Sequence, residues 1–169
     1  MKIVLTLVDG LGDKAVPQLG NKTPLESART PNFDFLFANG ISGLVVPFRE
    51  KGKLPTSELT HLALFGYNPR IFNPGRGVLE VLGLGMKVSK HDVCLRGNFA
   101  TLDENLKIID RRAGRIKKTE ELIKAISGIE IEGIKFLIKK AVSHRVGIVM
   151  RGDDLSPRIS DGDPKKVGV

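Results

Sequence analysis

The chain has 169 residues, a 41% hydrophobic fraction and a formal net charge of +8, which suits a globular protein of one ordinary domain or pieces of two. It has no apolar run of about 18 residues, so no membrane association is expected. The single cysteine, Cys94, excludes an intrachain disulfide and a zinc–cysteine cluster. With one tyrosine and no tryptophan, an aromatic platform for single-stranded nucleic acid is not expected, nor is a nucleic-acid partner. The positive charge reads either as a solvated basic surface or as the mark of a small anionic partner. Arginines beside glycines, such as Arg76, Arg96, Arg115 and Arg151, suit the second reading, because a guanidinium grips phosphate or carboxylate with two bonds. A lysine-rich, glutamine-poor composition is consistent with a heat-adapted source.

Residues 2–8 form a β-branched, leucine-rich run that predicts a strand buried on both faces. No small-residue cleavage site follows, so it does not read as a signal peptide, and a cytoplasmic location is expected. The run ends at Asp9-Gly10-Leu11-Gly12-Asp13. Thr30-Pro31 predicts a helix start and Asn39-Gly40 its end, and residues 41–46 predict a second strand. Residues 57–65 predict a short helix stopped by Gly66. The Pro/Gly-rich segment 68–77 is the candidate domain boundary. Beyond it, residues 92–102 and 107–110 predict strands joined by a turn at Glu104-Asn105. Thr119 is expected to cap a helix over 120–127, residues 133–140 and 144–151 predict a strand pair, and the segment 160–164 is a loop.

Four groups of residues carry candidate chemistry. Asp9, at the end of the first predicted strand, is placed either to bind a divalent cation or to bond its own turn. Ser57, at a helix start with His61 one turn on, is either a phosphoryl acceptor favoured by the helix dipole or a plain cap. Arg96 and Asn98 share a strand face. With Asp110, Arg111 and Arg112 they form either a site that holds and protonates a phosphorylated hydroxy acid or a salt-bridged loop. His144-Arg145 and Ser160-Asp161-Gly162-Asp163-Pro164-Lys165 are ambiguous alone; the remaining positions of a calcium-binding hand are missing from the latter.

The order of these motifs is more specific than any one of them. Val8-Asp9-Gly10-Leu11-Gly12-Asp13, Lys22-Thr23-Pro24-Leu25-Glu26 and Thr30-Pro31-Asn32-Phe33-Asp34 are followed by the Ser57 segment, Leu64-Phe65-Gly66-Tyr67-Asn68-Pro69 and Gly75-Arg76-Gly77. Then come Asn98-Phe99-Ala100-Thr101, Asp110-Arg111-Arg112-Ala113-Gly114-Arg115, His144-Arg145 and the Asp161 loop. Nearly the whole chain thus resembles archaeal-type cofactor-independent phosphoglycerate mutases of the alkaline-phosphatase-like superfamily.

The resemblance implies an α/β fold. Residues 1–74 would begin the three-layer metallophosphatase-like domain, and residues 75–169 would form part of an inserted α+β domain that orients substrate. It implies interconversion of 3- and 2-phosphoglycerate through a phosphoserine at Ser57. Asp110 would be catalytic and Arg96, Arg111 and Arg145 would bind phosphoglycerate. Asp9 and Ser57 would be ligands of two divalent ions, commonly manganese, with magnesium, cobalt or zinc as alternatives. A phosphatase or phosphonopyruvate decarboxylase-like relative is the competing activity.

Ser57-Glu58-Leu59-Thr60-His61 departs from the family's usual Ser-Asp-Thr-Ala-His, and Lys165 stands where the family usually has His. Family members are also much longer. The expectation is a truncated form or fragment with an incomplete metal site, which is non-catalytic alone and associates as a homo-oligomer or with a complementing C-terminal chain.

Overall fold

Proline sets the helix starts of the first part of the chain. The computed structural model describes residues 1–8, 10–48 and 56–169, which fall into two compact units, Met1–Val46 and Pro47–Val169. In the first unit, helices α1 (Pro24–Ser27) and α2 (Pro31–Asn39) both begin with proline, whose missing N–H lies where a helix has no partner to offer. Thr23 and Glu26 close a reciprocal capping box, and the Thr23 N–H and hydroxyl hold the Glu26 carboxyl below its usual range. Thr30 does not cap α2 with its side chain; its hydroxyl instead donates to Asp34 at 3.1 Å.

The strands expected at residues 2–8 and 41–46 do not form, although the helix between them does. Ile3, Val4, Ile41 and Leu44 are exposed, and neither segment enters a ladder among the described residues. A β-branched run fits a pleated, half-buried surface, but the ladder that makes it a strand must come from a neighbour.

In the second unit α3 (Ser57–Leu64) ends at Phe65, and Gly66 follows with φ 83°. The segment 68–77 holds α4 (Pro69–Phe72), whose Asn68 cap accepts from the Arg70 N–H, and the start of α5 (Arg76–Gly83). Gly75, at φ 87°, makes the turn into α5. The remaining elements are β1 (Val93–Asn98), β2 (Thr101–Leu102), β3 (Ile108–Asp110), α6 (Glu120–Ile126), β4 (Glu130–Ile131), β5 (Ile134–Lys140) and β6 (Arg145–Arg151). The predicted strand over 92–102 is broken at Phe99, whose N–H donates to the His144 carbonyl. Its first part pairs with β6 and only Thr101–Leu102 pairs with β3. Thr119 precedes α6 without a side-chain capping bond.

The main sheet has the order β1-β6-β5-β4, with every pair antiparallel, so the fold is a mixture of helix and sheet. Helix α5 packs on β1 and β6, and α6 packs on β5. Opposite residues of an antiparallel pair share a face. Arg96 lies opposite Gly147 and Asn98 opposite Arg145, so these four share one. A Cβ at Gly147 would meet Leu84 at 2.6 Å and Val81 at 3.3 Å, so α5 covers this same face. Val81 of α5 and Val149 of β6 are fully buried there. Lys139 Nζ donates to the Leu84 carbonyl at 2.5 Å and caps the end of α5. At the other end, a Cβ on Gly77 would sit 2.0 Å from the Cys94 carbonyl oxygen, so only glycine lets α5 approach β1 this closely. No helix among the described residues is long and apolar enough to cross a membrane.

Candidate functional site

The face that holds α5 also carries the candidate site. Arg76, Arg96, Asn98, Arg111, Arg112, His144, Arg145, Asp163 and Lys165 line a cavity of about 210 Å³. Strand alternation delivers Arg96 and Asn98 from β1, and their register with β6 brings Arg145 beside Asn98. Arg76 enters from the first turn of α5, where the Gly77 contact holds the helix against β1.

Arg111 and Arg112 come from the loop after β3, which Asp110 organises. One Asp110 oxygen accepts from the Arg112 N–H at 2.8 Å and the other from the Gly114 N–H at 2.6 Å. These two donors, followed by the charges of His144 and Arg112, hold the Asp110 carboxyl below its usual range. The loop is also tied from β6's side, where Ser143 Oγ donates to the Arg115 carbonyl at 2.6 Å.

The pocket arginines differ in their pairing. Arg111 is bound to Asp163 through Nε at 2.8 Å and Nη2 at 2.6 Å, and its Nη1 donates to the Lys165 carbonyl at 3.1 Å. That pairing holds the Asp163 carboxyl far below its usual range. Arg76 Nε stands 3.6 Å from Glu58 Oε2, an ion pair longer than a hydrogen bond, and Glu58 Oε2 is buried without a hydrogen-bond partner. Arg96, Arg112 and Arg145 make no ion pair among the described residues. Burial, then the charges of Arg76 and Arg145, pushes the Arg96 guanidinium below its ordinary pKa. His144, 6% exposed, is pushed down by burial and then by Arg145, Arg112 and Arg115, which favours its neutral form.

Sequence reasoning thus brings Arg96, Arg111 and Arg145 to one place, with Asp110 in the loop that carries Arg111. It named Arg76 among the arginines beside glycines but did not place it with this group. It also left His144 and Lys165 unassigned. Ser57 is the exposed first residue of α3 and does not line the cavity. Its carbonyl accepts from His61 Nδ1 at 2.6 Å, so that nitrogen carries a proton. Asp9 lies outside the described residues. Among the described residues no three His, Cys, Asp or Glu side chains converge as a metal site needs, so these residues do not by themselves fit a divalent ion.

A small cavity faced by three arginines that make no ion pair among the described residues suits a small, multiply charged anion in charge and donor geometry. A profile of the 2,3-bisphosphoglycerate-independent phosphoglycerate mutases matches residues 38–169, and the chain belongs to that family. It is 47% identical over 169 residues to the mutase of that name from Methanococcus aeolicus, covering 100% of this chain and 41% of the relative. To mutase 1 of Methanocaldococcus jannaschii it is 45% identical over 170 residues, covering 99% and 41%. Among solved structures, the cofactor-independent phosphoglycerate mutase of Thermoplasma acidophilum is 41% identical with a TM-score of 0.55, covering 95% of this chain and 41% of that one. A Pyrococcus horikoshii protein is 33% identical with a TM-score of 0.65, covering 84% and 35%. The chain therefore spans 41% of the length of these curated relatives.

Proposed function

We propose that this chain provides the phosphoryl-accepting serine and the substrate-orienting pocket of a 2,3-bisphosphoglycerate-independent phosphoglycerate mutase. The observation that supports this most is the cavity itself: Arg96, Arg112 and Arg145 face it and make no ion pair among the described residues, next to neutral-leaning His144. The phosphate and carboxylate of 3-phosphoglycerate match those guanidinium groups in charge and in geometry.

In this reading Ser57 Oγ attacks the phosphorus as the bond from phosphorus to the 3-oxygen breaks, and the departing 3-oxygen takes up the proton that Ser57 gives up. The 2-hydroxyl then gives its proton to a base as its oxygen takes the phosphoryl group back, and Ser57 Oγ leaves and is reprotonated from water. The pocket arginines hold the glycerate between the two transfers, and this positioning is where catalysis of phosphoryl transfer mostly resides. Asp110 is held ionised by its two N–H donors, so it is proposed as a base for a glycerate hydroxyl and not as an acid. Arg111 is proposed to act on the pocket beside it. Residues 1–74 are proposed to belong to an alkaline-phosphatase-like layered domain and residues 75–169 to an inserted one. Asp9 and Ser57 are proposed as ligands of the divalent ions implied by the family, manganese first.

The test has two parts. Calorimetry with 3-phosphoglycerate should show saturable binding that is lost in the Arg96→Ala, Arg145→Ala double variant. Turnover is followed by an enolase-coupled assay, with this chain alone or with a chain supplying the rest of the relatives' length. It should form 2-phosphoglycerate without free phosphate and vanish in Ser57→Ala. Release of free phosphate instead would mark a phosphatase, and failure to bind 3-phosphoglycerate would refute the reading.

A further inference from the structure

Arg111 has the geometry of a clamp. All three of its nitrogens are engaged, two by the Asp163 carboxylate and one by the Lys165 carbonyl. A bidentate, charge-assisted pair of this kind is among the stronger side-chain interactions. The segment it holds is itself interlocked. The Asp163 N–H donates to Asp161 Oδ1 at 3.0 Å, the Lys165 N–H donates to Asp163 Oδ1 at 2.9 Å, and Lys165 Nζ reaches Asp161 at 2.5 Å. A few residues further on, the chain is fastened again. The Ile108 N–H donates to the Val169 carbonyl and the Gly168 N–H to the Ile108 carbonyl, both at 2.8 Å. Residues 161–169 therefore run as a strap fixed at two points to the β3 strand and its loop, with Asp163 and Lys165 on the pocket wall.

We propose that Asp163 is a positioning residue: through Arg111 it fastens this strap as one wall of the pocket, and Arg111 contacts the strap in place of the ligand. The charges support the assignment. Within the strap the side-chain charges of Asp161 and Asp163 are matched by Lys165 and Lys166, so the strap closes the wall without adding net side-chain charge. The ligand's counter-charges are then Arg96, Arg112 and Arg145. A ligand carboxylate reaching for Arg111 would first have to displace a partner already held in the same fork. The inference deepens the proposed function and rests on reading this cavity as the phosphoglycerate site.

The test uses the full chain, wild type and Asp163→Asn, with two readouts. Hydrogen exchange follows the Ile108 and Gly168 amides. Calorimetry follows inorganic phosphate and 3-phosphoglycerate separately. In Asp163→Asn both amides should exchange faster, and affinity for both probes should fall by about tenfold, the scale of one charge-assisted hydrogen bond. Asp153→Asn, the same charge change away from this pocket, should leave affinity within about twofold. Arg111→Lys keeps the charge but cannot fork, and should loosen the strap as Asp163→Asn does.

Unchanged or tighter binding in Asp163→Asn would overturn the proposal, because Asp163 would then be a mere neighbour or a competitor for Arg111. So would an Arg111→Lys protein that loses affinity while both amides stay protected, which would make Arg111 a direct ligand contact. If wild type binds 3-phosphoglycerate no better than inorganic phosphate, the mutase reading fails while the phosphate titrations still decide the strap. If it binds neither, both fail.

Discussion

Replacing Gly77 by alanine tests the packing that places the pocket. A Cβ there would lie 2.0 Å from the Cys94 carbonyl oxygen, 2.5 Å from its carbon and 2.8 Å from Leu95 Cα. All three are backbone atoms of β1, so no side chain can rotate aside. Relief requires α5 to retreat from the sheet by about 1 Å, and overpacking of that kind costs about 1–3 kcal/mol. The 2.0 Å backbone clash puts this case at the upper end, and alanine's better helix propensity returns about 1 kcal/mol, so a net loss of about 2 kcal/mol is expected. The control lies in the same helix: Gly83 has nothing within 4 Å of an added Cβ and is exposed. Gly83→Ala should therefore gain up to about 1 kcal/mol. Urea unfolding followed by circular dichroism reads both, with opposite shifts of midpoint and unchanged slopes. Gly77→Ala should also weaken phosphate binding, because Arg76 rides on the displaced turn. A neutral or stabilising Gly77→Ala would refute the account of how α5 is seated.

Arg96→Ala and Arg145→Ala should each weaken 3-phosphoglycerate binding by about tenfold or more, the worth of a charged hydrogen bond, and the remaining affinity should be less sensitive to salt in calorimetric titrations. Glu58→Gln removes the negative charge 3.6 Å from Arg76 Nε. It should tighten phosphate binding severalfold, and a loss would mean that Glu58 orients Arg76. The folded pKa of His144 lies below its unfolded value, so its contribution to stability is present above about pH 6.5 and is lost as pH falls from there through the folded pKa. In His144→Gln the urea midpoint should lose that part of its decline below pH 6.5, and the wild-type imidazole should titrate below pH 6.5 by NMR.

The parts of the fold legible in sequence are those whose cause is local. Pro31 and Gly40 bracket α2, Gly66 follows α3, and the apolar runs of β5 and β6 on either side of a short connection announce their pairing. Strand parity alone puts Arg96 and Asn98 on one face, and the ordered motifs pointed to the family that the profile match bears out. What failed is non-local. Residues 2–8 and 41–46 have strand composition but no partner in a ladder, and composition does not supply one. The run over 92–102 reads as one strand, yet Val93–Asn98 pairs with β6 and Thr101–Leu102 with β3, so it is divided between two partners. Arg111 and Asp163 sit 52 residues apart, so no window along the chain shows that this arginine is already occupied. Helix α5 was concealed by the glycines that admit it, because Gly75 and Gly77 resemble the end of a loop more than the start of a helix.

The β1–β6 ladder also governs when the pocket can exist. Even its nearest partners, Asn98 and Arg145, are separated in the chain by β2, β3, α6, β4 and β5. Local pairings such as β5 with β6 close short loops and can form early, whereas β1 must wait for a long closure. A ribosome therefore releases Arg96 long before it releases the strand that will stand beside it. The arginines of the two strands can meet only when β1 docks on β6, so until that closure their mutual repulsion is spread along an open chain.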